Sequence, residues 1–429
     1  MIKFSRVHLL FLATLLLGGA LGYVTNASPG PLNVSPASPS PSATVATAIA
    51  SARIIVPTAM PSPTATPQPT STLVPTATPT RVPTMTSTPM PTPTPRIKPP
   101  PSAYRRLQDY PRPVNDSGYG FHINVSPYPP DRDVMVNQVI PLLKELGATW
   151  VTVWAADENQ VDKIKPLVDN GIEVVLRFHP VNAKPHPNYV PPREYIAKFV
   201  AAGIHYFVAG NEPNLNQENE GGGPEVIARQ WMMASDNIKA AGGIPLLYPM
   251  SPGGDQYHRD MLEGIMKWLK ANDALDTLDG AGVAIHNRPH NKPLDFRDDT
   301  SFLEYEWIDD LVVRYFGRSI PIIGTEAGYT VGEDRDRRFP KIDPEMHKAY
   351  NMGIIEGFRD GRWRDSLFAE NFWVLGEFGY RAGQFIADPW IFNPLNNGKD
   401  LPIVAALKAM PKFVRKFQGE GFQTRTSGP

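Results

Sequence analysis

The sequence predicts an α/β fold, a (β/α)8 barrel over residues 102–429, standing behind an N-terminal export segment and a disordered spacer. Three observations carry the prediction. Short β-rich runs alternate with amphipathic helical patterns, which is the sequence form of βα units around a parallel sheet. Eight runs and eight patterns can be counted with none left over, at roughly 30–45 residues per unit. The polar residues capable of chemistry gather where the runs end, which in a barrel is a single face.

The first run, "YGFHINV" (Tyr119–Val125), is followed by "DVMVNQVIPLLKELG", apolar at helical spacing and closed by Gly147. "TWVTVW" (Thr149–Trp154) is rich in β-branched and aromatic residues and leads into "QVDKIKPLVDNG". "EVVLRF" (Glu173–Phe178) precedes "PREYIAKFVAAG", with Pro at the helix start and Gly at its end. "YFVAG" (Tyr206–Gly210) precedes the longest helical pattern, "EVIARQWMMASDNIKAAGG". "IPLLYP" (Ile244–Pro249) leads to "RDMLEGIMKWLKAN", and "GVAIH" (Gly282–His286) to "FLEYEWIDDLVVRYFG". "PIIGT" (Pro321–Thr325) leads to "EMHKAYNMGIIEGFRD", and "ENFWVLG" (Glu370–Gly376) to a last helix over "LPIVAALKAMPKFVRKF". A doubly wound open sheet would bring a Gly-rich phosphate loop after its first strand, and "HINVSPYPP" is not one.

Residues 1–28 read as a signal peptide or a retained signal anchor. Lys3 and Arg6 precede an apolar stretch, Leu9–Gly22, with small residues near Ala27. That stretch is shorter than the ~20 residues that span a bilayer comfortably. Residues 29–101 are a Pro/Thr/Ser-rich linker with no acidic residue before Asp109. Proline fixes φ and removes donors, and too little apolar surface is present to offset the entropy of ordering, so a semi-rigid disordered stalk is expected, open to O-glycosylation. The protein is therefore expected to be secreted, or held at a membrane or cell wall by its N-terminal segment. The chain has no cysteine, which excludes a lipoprotein anchor and a disulfide framework.

Of the 42 Lys and Arg, six precede residue 102, leaving 36 against 43 Asp and Glu and a net charge near −7 on the folded part. An acidic domain does not suit nucleic acid. It admits a neutral ligand such as a carbohydrate, and a monomer is expected.

The expected strand ends carry His122 and Asn124, then Trp154, Asp157 and Glu158, then Arg177 and His179, then Asn211 and Glu212. They continue with Tyr248, with His286 and Asn287, with Glu326, and with Trp373 and Glu377. Glu212 and Glu326 end the fourth and seventh runs, so in a ring of eight they face each other across the mouth. Two carboxyls so placed are what glycosidic cleavage needs: one protonates the leaving oxygen while the other attacks or activates water. The acid is expected to hold a raised pKa and the nucleophile an ordinary one, with Arg177 beside Glu326 keeping it ionised. The chemistry calls for no cofactor and no metal.

The strings "AGNEPN" and "GTEAGY" resemble the signature of the retaining glycoside hydrolases of clan A, and "NEPN" resembles the β-xylosidase and cellulase-type members. The resemblance implies Glu212 as acid/base, Asn211 as hydrogen-bond partner of the sugar 2-OH, Glu326 as nucleophile and Trp373 as a platform beneath the sugar. Trp154 is a second candidate platform, and His122, His179 and His286 are candidates to line the sugar hydroxyls. One departure stands at strand six, where Arg288 occupies the position two after His286 that cellulase-type members commonly give to tyrosine. Tyr329 is a candidate to reach the nucleophile from another side. Glu218 and Glu220, in "NQENEGGGP", read as solvated. Two other functions compete: a carbohydrate-binding pseudoenzyme on the same barrel, and a metal-dependent hydrolase. For the latter the first strand has Asn124 where a second histidine would stand.

Overall fold

The computed structural model describes residues 101–124, 128–178, 190–219, 222–376, 378 and 389–419. Residues 1–100, and with them the expected export segment and nearly all of the linker, lie outside the described residues, as do His179, Glu220 and Glu377. Eight parallel strands close into one barrel in chain order. They are β1 (Tyr119–His122), β2 (Trp150–Ala155), β3 (Glu173–Phe178), β4 (Tyr206–Val208), β5 (Ile244–Leu247), β6 (Gly282–Ile285), β7 (Ile322–Ala327) and β8 (Leu367–Phe372). β1 pairs with both β2 and β8, which shuts the ring.

The two-residue period of a strand explains where the site sits. Trp150 and Trp154 share one face of β2, Val175 and Arg177 one face of β3, Tyr206 and Val208 one face of β4. The lower members of these sets join Ile244, Leu246, Ala284, Ile323 and Phe368 in an apolar plug inside the barrel. Val208 stays within this plug, while Trp154 and Arg177 stand above it towards the mouth. The alternate residues, such as Val151, Val153, Val174 and Leu176, pack outward against the helices in the larger core.

The bottom of the barrel is closed by the segment before β1. Tyr110 donates its hydroxyl to Ala281 O at 3.0 Å, Tyr206 donates to Pro111 O at 2.7 Å, and Trp150 Nε1 donates to Asp116 Oδ1 at 2.8 Å. Gly120 is required at the start of β1, because a Cβ there would run into the Trp150 carbonyl.

Several element bounds differ from expectation, β7 running on to Ala327 among them, and two of the differences bear on packing. The last strand is Leu367–Phe372, starting three residues before the expected Glu370. Glu370 is fully buried inside the strand, so the charge that read as a boundary is an interior residue. The last helix stops at Ala409, because Pro411 cannot continue it. The chain beyond runs down to the barrel bottom, where the buried Arg415 donates to Leu367 O at 2.8 Å and Phe368 O at 2.6 Å.

Candidate active site

β4 ends at Val208 and the chain leaves through Ala209, Gly210 and Asn211 to Glu212. Gly210 passes against the Tyr248 ring, leaving a Cβ only 3.2 Å to Tyr248 Cε1. Glu212 has φ +33°, a left-handed conformation that costs a non-glycine residue energy and persists only where the surroundings enforce it. Here Glu212 O accepts from Leu215 N at 2.9 Å, and Asn214 ties the loop to Ser251 and Gln256.

His286, just past β6 and 3% exposed, stands between the two candidate carboxylates. Its Nδ1 is 2.9 Å from Glu212 Oε1 and its Nε2 is 3.6 Å from Glu326 Oε1. An ionised carboxylate only accepts, so Nδ1 is the donor to Glu212. Glu326 lies inside β7, where the pairing with β8 slips between Gly324 and Ala327; such an irregularity re-aims a side chain. Arg177 Nη1 donates to Glu326 Oε1 at 2.9 Å, and Arg288 Nη1 approaches Oε2 at 3.8 Å. Arg177 is in register with Trp154 on β2, and its guanidinium lies 4.2 Å from the centre of that indole.

The opposite wall is aromatic. His122 meets Trp154 edge-on at 5.5 Å and Trp373 at 4.8 Å, and the Arg288 guanidinium is 5.7 Å from the Trp373 ring centre. Burial drives the His122 pKa down to about 3, so this imidazole is neutral.

The electrostatics correct one expectation. Burial works to raise both candidate carboxyls, but their neighbours outweigh it. The His286 hydrogen bond, with Arg177 and the Ser251 hydroxyl assisting, brings Glu212 down to about 2. His286 and Arg177 likewise hold Glu326 below the ordinary carboxylate range. The resting acid candidate is thus ionised, not protonated. Among the described residues, the raised carboxyls are two others. Burial lifts Glu218 to about 7, with Glu212 and Glu326 pushing the same way and Arg177 and Asn211 opposing. Burial lifts Glu370 to about 8, against a 2.6 Å hydrogen bond from Asn287 Nδ2.

Glu212, Glu326, His286, Arg177, Trp154, His122 and Trp373 therefore meet at one mouth, and Asn211 adjoins it beside Glu218. His179 lies outside the described residues. Asp157 caps a short helical turn by accepting from Asn159 N. Tyr329 is buried with its ring 4.8 Å from Tyr350, its backbone N–H held by Asn351. Glu218 is half-buried, not solvated. Sequence reading missed Glu218 and Glu370 as buried acids and Arg288 as a neighbour of Glu326. The available signal for Arg288 was its two-residue spacing from His286.

No protein-family model matches the chain, and no curated protein matches it. Solved structures do align with it. A family 51 α-L-arabinofuranosidase from Bifidobacterium longum is 14% identical, with 62% of this chain and 68% of that chain covered and a TM-score of 0.38. A GH39 β-xylosidase from Caulobacter crescentus is 16% identical over 71% of this chain and 72% of its own, with a TM-score of 0.44. A glucosidase from Croceicoccus marinus is 11% identical over 69% and 68%, with a TM-score of 0.42. The likeness is one of fold.

Proposed function

We propose that this chain is a retaining glycoside hydrolase that cleaves O-glycosidic bonds of an oligo- or polysaccharide, with Glu326 as nucleophile and Glu212 as acid/base. One observation carries the reading: carboxylates from β4 and β7 flank a single imidazole, and only one of them is also bonded to an arginine. Retention requires carboxyls ~5–5.5 Å apart, close enough for one to attack the anomeric carbon while the other serves the leaving oxygen.

Arg177 keeps Glu326 ionised and aimed. Glu212, ionised at rest, takes up a proton before the chemical step, and the leaving oxygen takes that proton as the C–O bond breaks and Glu326 bonds to the anomeric carbon. Glu212, ionised again, then deprotonates the water that releases the sugar. Trp373 and Trp154, backed by the fully buried His122, form the apolar wall on which a sugar face packs. On the same reading the protein works outside the cell, exported or tethered through residues 1–28.

A glycan panel tests this, with the anomer of the first product read by proton NMR. Retained configuration is expected, with Glu326→Gln reducing turnover at least ~10³-fold while leaving the fold intact. Inverted product, or full activity in Glu326→Gln, would sink the proposal. The ionised resting state of Glu212 favours a second reading, a carbohydrate-binding barrel without turnover. Glycan binding with no product at any pH from 3 to 9 would support it.

A further inference from the structure

Both side chains that reach the candidate pair from the end of β6 belong to one three-residue turn. Arg288 N donates to His286 O at 3.0 Å, so the chain reverses tightly about Asn287. One arm of the turn brings His286 to Glu212 and Glu326, and the other brings Arg288 to Glu326. Whatever fixes the apex therefore sets both contacts.

The apex is held from two neighbouring strands. Gly328 N, just past β7, donates to Asn287 O at 3.0 Å. The Asn287 side chain, itself 4% exposed, donates through Nδ2 to Glu370 Oε1 on β8 at 2.6 Å. Glu370 is fully buried and stands opposite Gly324 in the β7–β8 register. A Cβ at position 324 would run into Glu370 Oε2, so β7 admits this carboxyl only because residue 324 has no side chain.

A carboxyl buried with a single hydrogen bond costs stability, and an apolar residue of similar size would carry no such cost. The chemistry described above makes no use of it. Burial lifts its pKa to about 8, so near neutral pH it accepts from Asn287 without setting a third negative charge beside the pair.

We infer that Glu370 is a positioning residue: its hydrogen bond to the apex of the turn sets where His286 and Arg288 meet Glu212 and Glu326.

What the pair then does rests on the glycosidase reading, and the test separates the two. It uses the full chain and the ratio of kcat/KM for a glycoside with a sugar leaving group to that for a nitrophenyl glycoside, which follows the protonation of Glu212. Glu370→Leu fills the space and removes the acceptor. With the turn released, the His286 hydrogen bond weakens and Glu212 protonates at higher pH, so the ratio at pH 6 should rise at least about threefold, the equivalent of half a pH unit. Asn287→Ala cuts the same bond from its other end and should raise the ratio similarly, with no further rise in the double variant. Glu370→Gln still accepts from Nδ2 and should restore the ratio to within about twofold of the wild type.

A merely structural role would lower the Tm of Glu370→Leu and leave the ratio unmoved; that result overturns the inference with the glycosidase reading intact. Should Glu370→Leu fail to fold, an unmoved ratio in Asn287→Ala overturns it instead. A wild type that turns over no glycoside overturns the glycosidase reading. The readout is then the 15N resonances of the His286 imidazole, assigned with His286→Ala. They should shift in Glu370→Leu and Asn287→Ala and return in Glu370→Gln, and unshifted resonances overturn the inference there too.

Discussion

His286→Ala should move the protonation of Glu212 to higher pH. In the free site the 2.9 Å hydrogen bond from Nδ1 is the leading influence that opposes burial at Glu212 and brings its pKa to about 2. An ordinary glutamate titrates near 4.3, so with burial already offset the ionised form is stabilised by about 3 kcal/mol net. Most of this disappears with the imidazole, and burial then acts with less opposition. The measurable quantity is the ratio of kcat/KM for a glycoside with a sugar leaving group to that for a nitrophenyl glycoside. The first needs a proton from Glu212 and the second does not, while both need ionised Glu326, so the ratio isolates Glu212. In the wild type it should fall about tenfold per pH unit from pH 4 to 8. In His286→Ala it should stay level to about pH 4.5 before falling. Superimposable curves in the two proteins would refute the assignment of His286 as the group that holds Glu212 ionised.

Arg177→Met removes the cation bonded to Glu326, leaving burial to raise its carboxyl. The acid limb of kcat/KM for a nitrophenyl glycoside should move up, and the rate at pH 5 should drop roughly 10- to 100-fold, the scale of a hydrogen bond to a charged group; an unmoved limb contradicts the role given to Arg177. Glu370→Gln should change stability in a pH-dependent way. The carboxyl titrates near 4.3 in the unfolded chain and near 8 in the barrel, so between those values only the unfolded chain ionises and the native state loses stability as pH rises. The variant lacks that loss: its Tm relative to wild type should climb from pH 4 to pH 8, by at most about 5 kcal/mol in stability, and a constant difference would count against a neutral Glu370.

Much of the barrel was legible because strand and helix periods are local. Runs such as "EVVLRF" and patterns such as "RDMLEGIMKWLKAN" declare their buried faces through residue spacing alone, and each is observed as expected. The pairing of Arg177 with Glu326 could be anticipated because β3 and β7 present inward residues at the same end. β8 was misread at its start, since a glutamate inside a fully buried strand violates the pattern by which strands are found.

The sequence by itself determined the alternation of elements, the placement of Glu212 and Glu326 towards the ends of the fourth and seventh strands, and the net acidic charge of the folded part. These follow from spacing and composition, which any window of the chain carries. Only the tertiary structure decided how those carboxyls are charged. Two glutamates of identical chemistry are held ionised because His286 and Arg177 arrive from other strands, while Glu218 and Glu370 are pushed up by burial among residues far away in sequence. A pKa belongs to an environment, and that environment exists only once the ring has closed.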